Sequence, residues 1–168
     1  MRKNKVEKRP KIKIHYSIYE IIIELISIIA IFINVYLLLK YYKVLPNVIP
    51  THFSGTGLPD GYGSKSSILI LAGINFIMYI VLTILSRFPR VYNYIKPITK
   101  ENAEYQYKCA RQLIIIIKAE FVVIFTYIGW RSIKVALEKV SGLGTGFLPV
   151  ILVVIFGTLA IYIRKCLK

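Results

Sequence analysis

Apolar residues gather in four long runs, 18–39, 68–85, 113–130 and 147–163, with polar and turn-prone stretches between them. Each approaches the roughly 20 residues a helix needs to cross a bilayer core of about 30 Å. None alternates with the period of two that a barrel strand requires, and inside lipid only helices or closed barrels satisfy their own backbone groups. The pattern therefore predicts an all-α integral membrane protein of four transmembrane helices. The first run follows a basic leader, "MRKNKVEKRPKIK", but it is too long for a signal peptide and no small-residue cleavage site follows, so it is read as a retained helix. A content of 56% hydrophobic residues and a mean hydropathy of +0.60 are far from those of a soluble domain.

Charge adds a direction. The chain carries 23 Lys and Arg against 8 Asp and Glu, for a formal net charge of +15. One basic cluster precedes the first run (Arg2, Lys3, Lys5, Lys8, Arg9, Lys11, Lys13) and another fills the second connection (Arg87, Arg90, Lys96, Lys100, Lys108, Arg111). Arg164, Lys165 and Lys168 close the chain, whereas Lys40, Lys43, Lys65, Arg131, Lys134 and Lys139 fall on the other side. The positive-inside rule then makes both termini cytoplasmic and places the first and third connections outside. The organisation expected is a cytoplasmic tail over 1–17, a helical hairpin over 18–90 with an outer loop at 40–67, a cytoplasmic connection over 91–112, a second hairpin over 113–163 and a tail over 164–168. Basic residues distributed between spans suit anionic headgroups, and no nucleic-acid partner is expected. Segment 131–140 reads as an amphipathic extension of the third helix along the outer interface, ended by Gly142, Gly144 and Gly146. Tyr41, Tyr42, Tyr127 and Trp130 at one interface, and Tyr16, Tyr19 and Tyr162 at the other, read as aromatic belts. Cys109 and Cys166 fall on the reducing side, so two unpaired thiols are expected, with palmitoylation as the less favoured role.

The outer loop holds the most distinctive residues, "LPNVIPTHFSGTGLPDGYGSK". Pro46 and Pro50 hold their preceding residues extended, so "NVIPTHF" should run as an extended piece. Pro59-Asp60-Gly61 is a turn signal, with Gly55, Gly57 and Gly63 as further points of backbone freedom. Ser64 is placed to cap a second helix starting near Lys65. These features predict a compact, structured cap.

Leu45, Pro46, Ile49, Pro50, His52, Phe53, Gly57, Pro59, Asp60, Gly61 and Lys65 together resemble the signature of the DUF1648 family of bacterial membrane proteins. The resemblance covers the loop and its flanking helices, about residues 18–90. It implies a multi-pass protein of the bacterial cell membrane, distantly related to the Sdp-type immunity and signalling proteins, which resist an exported toxic peptide and hold a repressor at the membrane. Those immunity proteins carry further membrane helices, whereas four are expected here.

Within the loop, His52, Phe53, Asp60 and Lys65 are the candidates for contacting a ligand or partner, and Pro46, Pro50, Gly57, Pro59 and Gly61 shape it. The structural alternative is that His52, Asp60 and Lys65 bond the cap together. Two metal-capable ligands fall short of the three or four of a zinc site, and no hydrolase signature surrounds Ser54 or Thr51. Neither metal, cofactor nor enzymatic activity is expected.

Polar residues inside the runs are expensive, about 2.5 to 3.5 kcal/mol for a charge at the helix centre. Glu20 and Glu24 share one face of the first helix. Glu24 and Lys118 sit at similar depth, which predicts an ion pair with Glu20 or Glu120 as a further partner, against the alternative that Lys118 snorkels to the headgroups. Asn34 and Asn75 match in depth near the outer side and predict an interhelical amide bond. Two functions compete on this basis. One is an interaction, sensor or immunity protein that meets an exported peptide or a partner membrane protein through its outer loop. The other is a subunit of a transporter or an ion or proton pathway built on Glu20, Glu24, Lys118 and Glu120, which from one short chain requires a homo-oligomer.

Overall fold

A computed structural model describes residues 9–167. Arg2, Lys3, Lys5, Lys8 and Lys168, all counted in the charge argument, lie outside the described residues. Four helices form, α1 (Ile18–Tyr41), α2 (Ser67–Ser86), α3 (Ala103–Ala136) and α4 (Phe147–Cys166), each long and apolar enough to cross a membrane. A short 3-10 turn, Pro89–Val91, follows α2.

The loop between α1 and α2 is not irregular. It is an antiparallel hairpin of β1 (Val48–Phe53) and β2 (Pro59–Ser64), so the architecture is helical with a small two-stranded sheet rather than all-α. The extended reading of "NVIPTHF" holds as β1. The turn at Pro59-Asp60-Gly61 does not form, because these residues are the first three of β2. The chain reverses at Ser54–Gly57 instead, where the Gly57 amide donates to Ser54 O at 2.9 Å and the Ser54 amide to Leu58 O at 2.8 Å. Gly57 takes φ +82°, the left-handed conformation that glycine adopts most readily, and this decides where the turn closes. Ser64 is likewise not a helix cap: it ends β2, and α2 begins at Ser67 after Ser66.

α1 is started by a capping box. The Glu20 amide donates to Ser17 Oγ at 3.3 Å, and the Ser17 amide donates back to Glu20 Oε2 at 2.7 Å. α3 is ten residues longer at its start than the apolar run 113–130 indicated, because "AEYQYKCARQ" continues as helix. Its 34 residues span about 51 Å, more than a bilayer core requires. The segment expected to lie along the interface is the end of this same helix as far as Ala136, and Glu138 at φ +56° breaks it before the glycines.

α3 is the organising element. It packs against α1, α2 and α4, while α1 and α2 touch each other far less. At the hairpin end Leu45, Ile49, Ile68 and Ile133 form a buried cluster flanked by Leu37, Leu38, Tyr41 and Leu71. That cluster seats β1 on α3 and positions the hairpin over the helices.

At the opposite end Cys109 and Cys166 form a disulfide, with Cα atoms 6.0 Å apart, and neither is a free thiol. The expectation of two unpaired cysteines fails because Cys109 belongs to the early turns of α3, beside the last turn of α4. Tyr105 Oη donates to Lys165 O at 2.7 Å, Gln106 Nε2 to Cys166 O at 2.9 Å and Lys165 Nζ to Gln112 Oε1 at 2.9 Å, so the same helix ends are tied by polar bonds as well.

Candidate functional site

The hairpin has one anchored and one open side. Ile49 and Pro50 of β1 are buried, whereas Thr51, His52, Leu58, Asp60 and Tyr62 are exposed. The ladder pairs Ile49 with Gly63, Pro50 with Tyr62, His52 with Gly61 and Phe53 with Pro59, and it is irregular on both sides of His52. Such bulges re-aim side chains, and Pro50, which has no amide to donate, is tolerated in a two-stranded sheet where each strand is an edge.

Here the irregularity brings His52 Nδ1 to 2.5 Å from Asp60 Oδ1. Both remain open to solvent, with side-chain exposures of 73% and 45%. Gly61 owes its place to this pair: a Cβ there would lie 2.9 Å from the Cβ of His52. An Asp-braced imidazole of this kind keeps Nε2 for an outside group. Lys65 does not join them. Its amide donates to Asn47 O at 2.9 Å and its Nζ lies 5.5 Å from the ring centre of Tyr42, so it ties the hairpin to the end of α1. Phe53 ends β1, half-buried and opposite Pro59.

The hairpin tip is clamped by the α3–α4 loop. The Leu143 amide donates to Gly57 O at 2.7 Å, and the Gly142 carbonyl accepts from the Arg131 guanidinium at Nε, 2.7 Å, and also at Nη2. Tyr127 Oη donates to Leu143 O at 2.8 Å. The two backbones approach so closely that a Cβ on Gly142 would meet Gly57 O at 2.1 Å, and one on Gly57 would meet Gly144 O at 2.6 Å. Sequence reasoning assigned neither Arg131 nor Tyr127 to this contact, since a loop-to-loop fit has no local signature.

Beneath the hairpin the polar residues of the spans pair off. Lys118, fully buried, donates from Nζ to Glu24 Oε1 at 2.5 Å and Oε2 at 2.6 Å, and to Thr83 Oγ1 at 3.0 Å, so one ammonium joins α1, α2 and α3. The expected Glu24–Lys118 pair is thus present and Lys118 does not snorkel, but the further partner is Thr83 rather than Glu20 or Glu120. Glu20 is taken by Arg111, whose Nε donates to Oε1 at 2.8 Å and Nη2 to Oε2 at 3.1 Å. Glu120 lies only two residues from Lys118, about 200° around the helix, and so faces α4, where Thr158 Oγ1 donates to its Oε1 at 2.5 Å.

The expected Asn34–Asn75 bond is replaced by one through α3, because that helix separates α1 from α2. Asn75 Nδ2 donates to Val122 O at 3.3 Å and to Thr126 Oγ1 at 3.2 Å, and Thr126 Oγ1 donates in turn to Ala30 O at 3.2 Å. Asn34 is buried beside Gly129. Among the described residues no three His, Cys, Asp or Glu side chains come together as metal ligands.

Residues 28–76 match the family model described as "Domain of unknown function (DUF1648)". The match takes in most of α1, the whole hairpin and the first half of α2, which agrees with the motif resemblance. No curated protein and no solved structure matches the chain.

Proposed function

We propose that this multi-pass membrane protein is an interaction protein, a sensor or an immunity factor, that receives an exported peptide or a partner membrane protein on the open side of its hairpin. In this reading it lies in a bacterial cell membrane with both termini cytoplasmic and the hairpin outside, which requires the Cys109–Cys166 bond to persist at the reducing face. It binds rather than catalyses. The observation that carries the proposal is the His52–Asp60 pair, held by a bulged ladder on an anchored hairpin while both side chains stay open to water. A fold that buries Ile49 and clamps Gly57 on one side, yet leaves a braced imidazole, Leu58 and Tyr62 on the other, suits recognition of an extended chain along a strand edge. The resemblance to Sdp-type proteins adds the toxic-peptide setting. Transport draws less support, because Glu20, Glu24 and Lys118 are engaged with partners across packed helices.

Deleting the gene and challenging the cells with exported toxic peptides tests the reading. Sensitisation rescued by the intact chain is expected, with His52→Ala and Asp60→Ala failing to rescue at normal membrane levels. Full rescue by both variants would remove the open face of the hairpin as the site.

A further inference from the structure

At the end of α2 the tail and the second connection enclose a cavity of about 470 Å³, lined by Lys11, Lys13, Arg87 and Arg90 together with Phe88 and Tyr107. Among the described residues the lining contains four cations and no carboxylate. Each of the three ion pairs among the described residues lies elsewhere, at His52–Asp60, Glu20–Arg111 and Glu24–Lys118.

The ring is built rather than incidental. Residues 9–17 are not helical, and in an extended segment Lys11 and Lys13, two apart, point to the same side. The segment is stapled in place along its length. Tyr107 Oη donates to Pro10 O at 3.3 Å, and Arg111 donates from Nη1 to Ile14 O at 2.9 Å and from Nη2 to His15 O at 2.7 Å. Across the gap, Arg90 Nε donates to Arg9 O at 3.0 Å while Arg9 Nη1 donates to Arg90 O at 2.9 Å and Tyr92 O at 2.6 Å. Burial pushes the Tyr92 hydroxyl up to about 12 and that of Tyr94 higher still, so both phenols stay neutral beside these cations at ordinary pH.

Depth identifies what such a ring would meet. Arg87 follows directly on Ser86, the last residue of a helix long enough to span, so the cavity opens where lipid headgroups lie. Phe88 and Val91 are exposed at the same level, 56% and 68%, and offer an apolar surface to acyl chains beside the charge. We propose that this cavity is a binding site for the phosphate headgroup of an anionic phospholipid, with Arg87, Arg90, Lys11 and Lys13 contacting the phosphate and Phe88 the chains. Guanidinium groups suit phosphate oxygens because they can donate two parallel hydrogen bonds. The site stands independently of the peptide reading, since it lies at the other end of the molecule.

Native mass spectrometry and lipid titration of the full chain in mixed micelles test it, with phosphatidylglycerol, phosphatidylcholine and inorganic phosphate as separate probes. Retention of one phosphatidylglycerol in preference to phosphatidylcholine is expected. Arg87→Gln with Lys13→Gln should weaken it by about 30-fold, the worth of two cations at a membrane surface. Lys100→Gln with Arg164→Gln removes the same charge away from the cavity and should leave binding within about twofold. Arg87→Lys with Lys13→Arg, which keeps the charges, should retain most of the affinity and guards against a folding defect in the neutral pair. Equal losses in the two neutral variants would overturn the site in favour of a diffuse field. Equal retention of phosphatidylcholine, or displacement by inorganic phosphate at matching concentration, would overturn the lipid assignment.

Discussion

The two ends of the bundle are held together by different physics. At the end carrying the termini, long charged side chains reach across helices: Arg111 grips Glu20 and two carbonyls of the tail, and Lys118 grips Glu24 and Thr83. At the hairpin end, backbone meets backbone: Gly57 and Gly142 approach until no side chain fits between them. Electrostatic contacts of the first kind tolerate exchange of partners if charge is conserved. Steric contacts of the second kind tolerate no exchange, because what they require is the absence of an atom.

The largest effect is expected at Arg111. Arg111→Met strands a buried carboxylate that also serves the cap of α1, and loss of one partner of a buried pair costs about 3 to 5 kcal/mol. Thermal unfolding in detergent should show the loss, with Glu20→Gln falling less because an amide keeps part of the cap. Next come the single reversals Glu24→Lys and Lys118→Glu, each placing like charges together at about 2.5 to 3.5 kcal/mol. The double reversal should recover most of the membrane level lost by either, and failure to recover would break the electrostatic half of the contrast. Gly142→Ala should cost on the order of 2 to 3 kcal/mol and resist rescue by any change of charge. Gly55→Ala is its control, since a Cβ there meets only Leu148 Cδ2 at 3.7 Å, and it should be nearly neutral. The smallest effect on stability belongs to His52→Ala, within about 0.5 kcal/mol because the side chain is exposed, even though function is expected to fall.

The same contrast explains what could be read from the sequence. The four helices were legible because spanning a bilayer demands length and apolarity in one stretch. Glu24 and Lys118 were legible because a buried charge needs a partner at its own depth. Arg111 was hidden by an underestimate of α3, whose first ten residues are polar enough to resemble a connection, and the disulfide was hidden with it. The Ser17-x-x-Glu20 box was a signal that Glu20 had work at the start of α1 and was unavailable to Lys118. In the hairpin, Pro-Asp-Gly carried the chemistry of a turn, but Gly61 clears space for His52 and the reversal falls to Gly57. A glycine's role depends on what stands opposite it, and that partner lies far along the chain.

The proposed function rests on a hairpin that stands in water outside the cell. Thr56, exposed at the hairpin tip, offers the most direct measurement. A Thr56→Cys variant in a Cys109→Ser/Cys166→Ser background should react with an impermeant thiol reagent on intact cells as fully as after permeabilisation. Labelling only after permeabilisation would contradict the outward placement and the recognition role together.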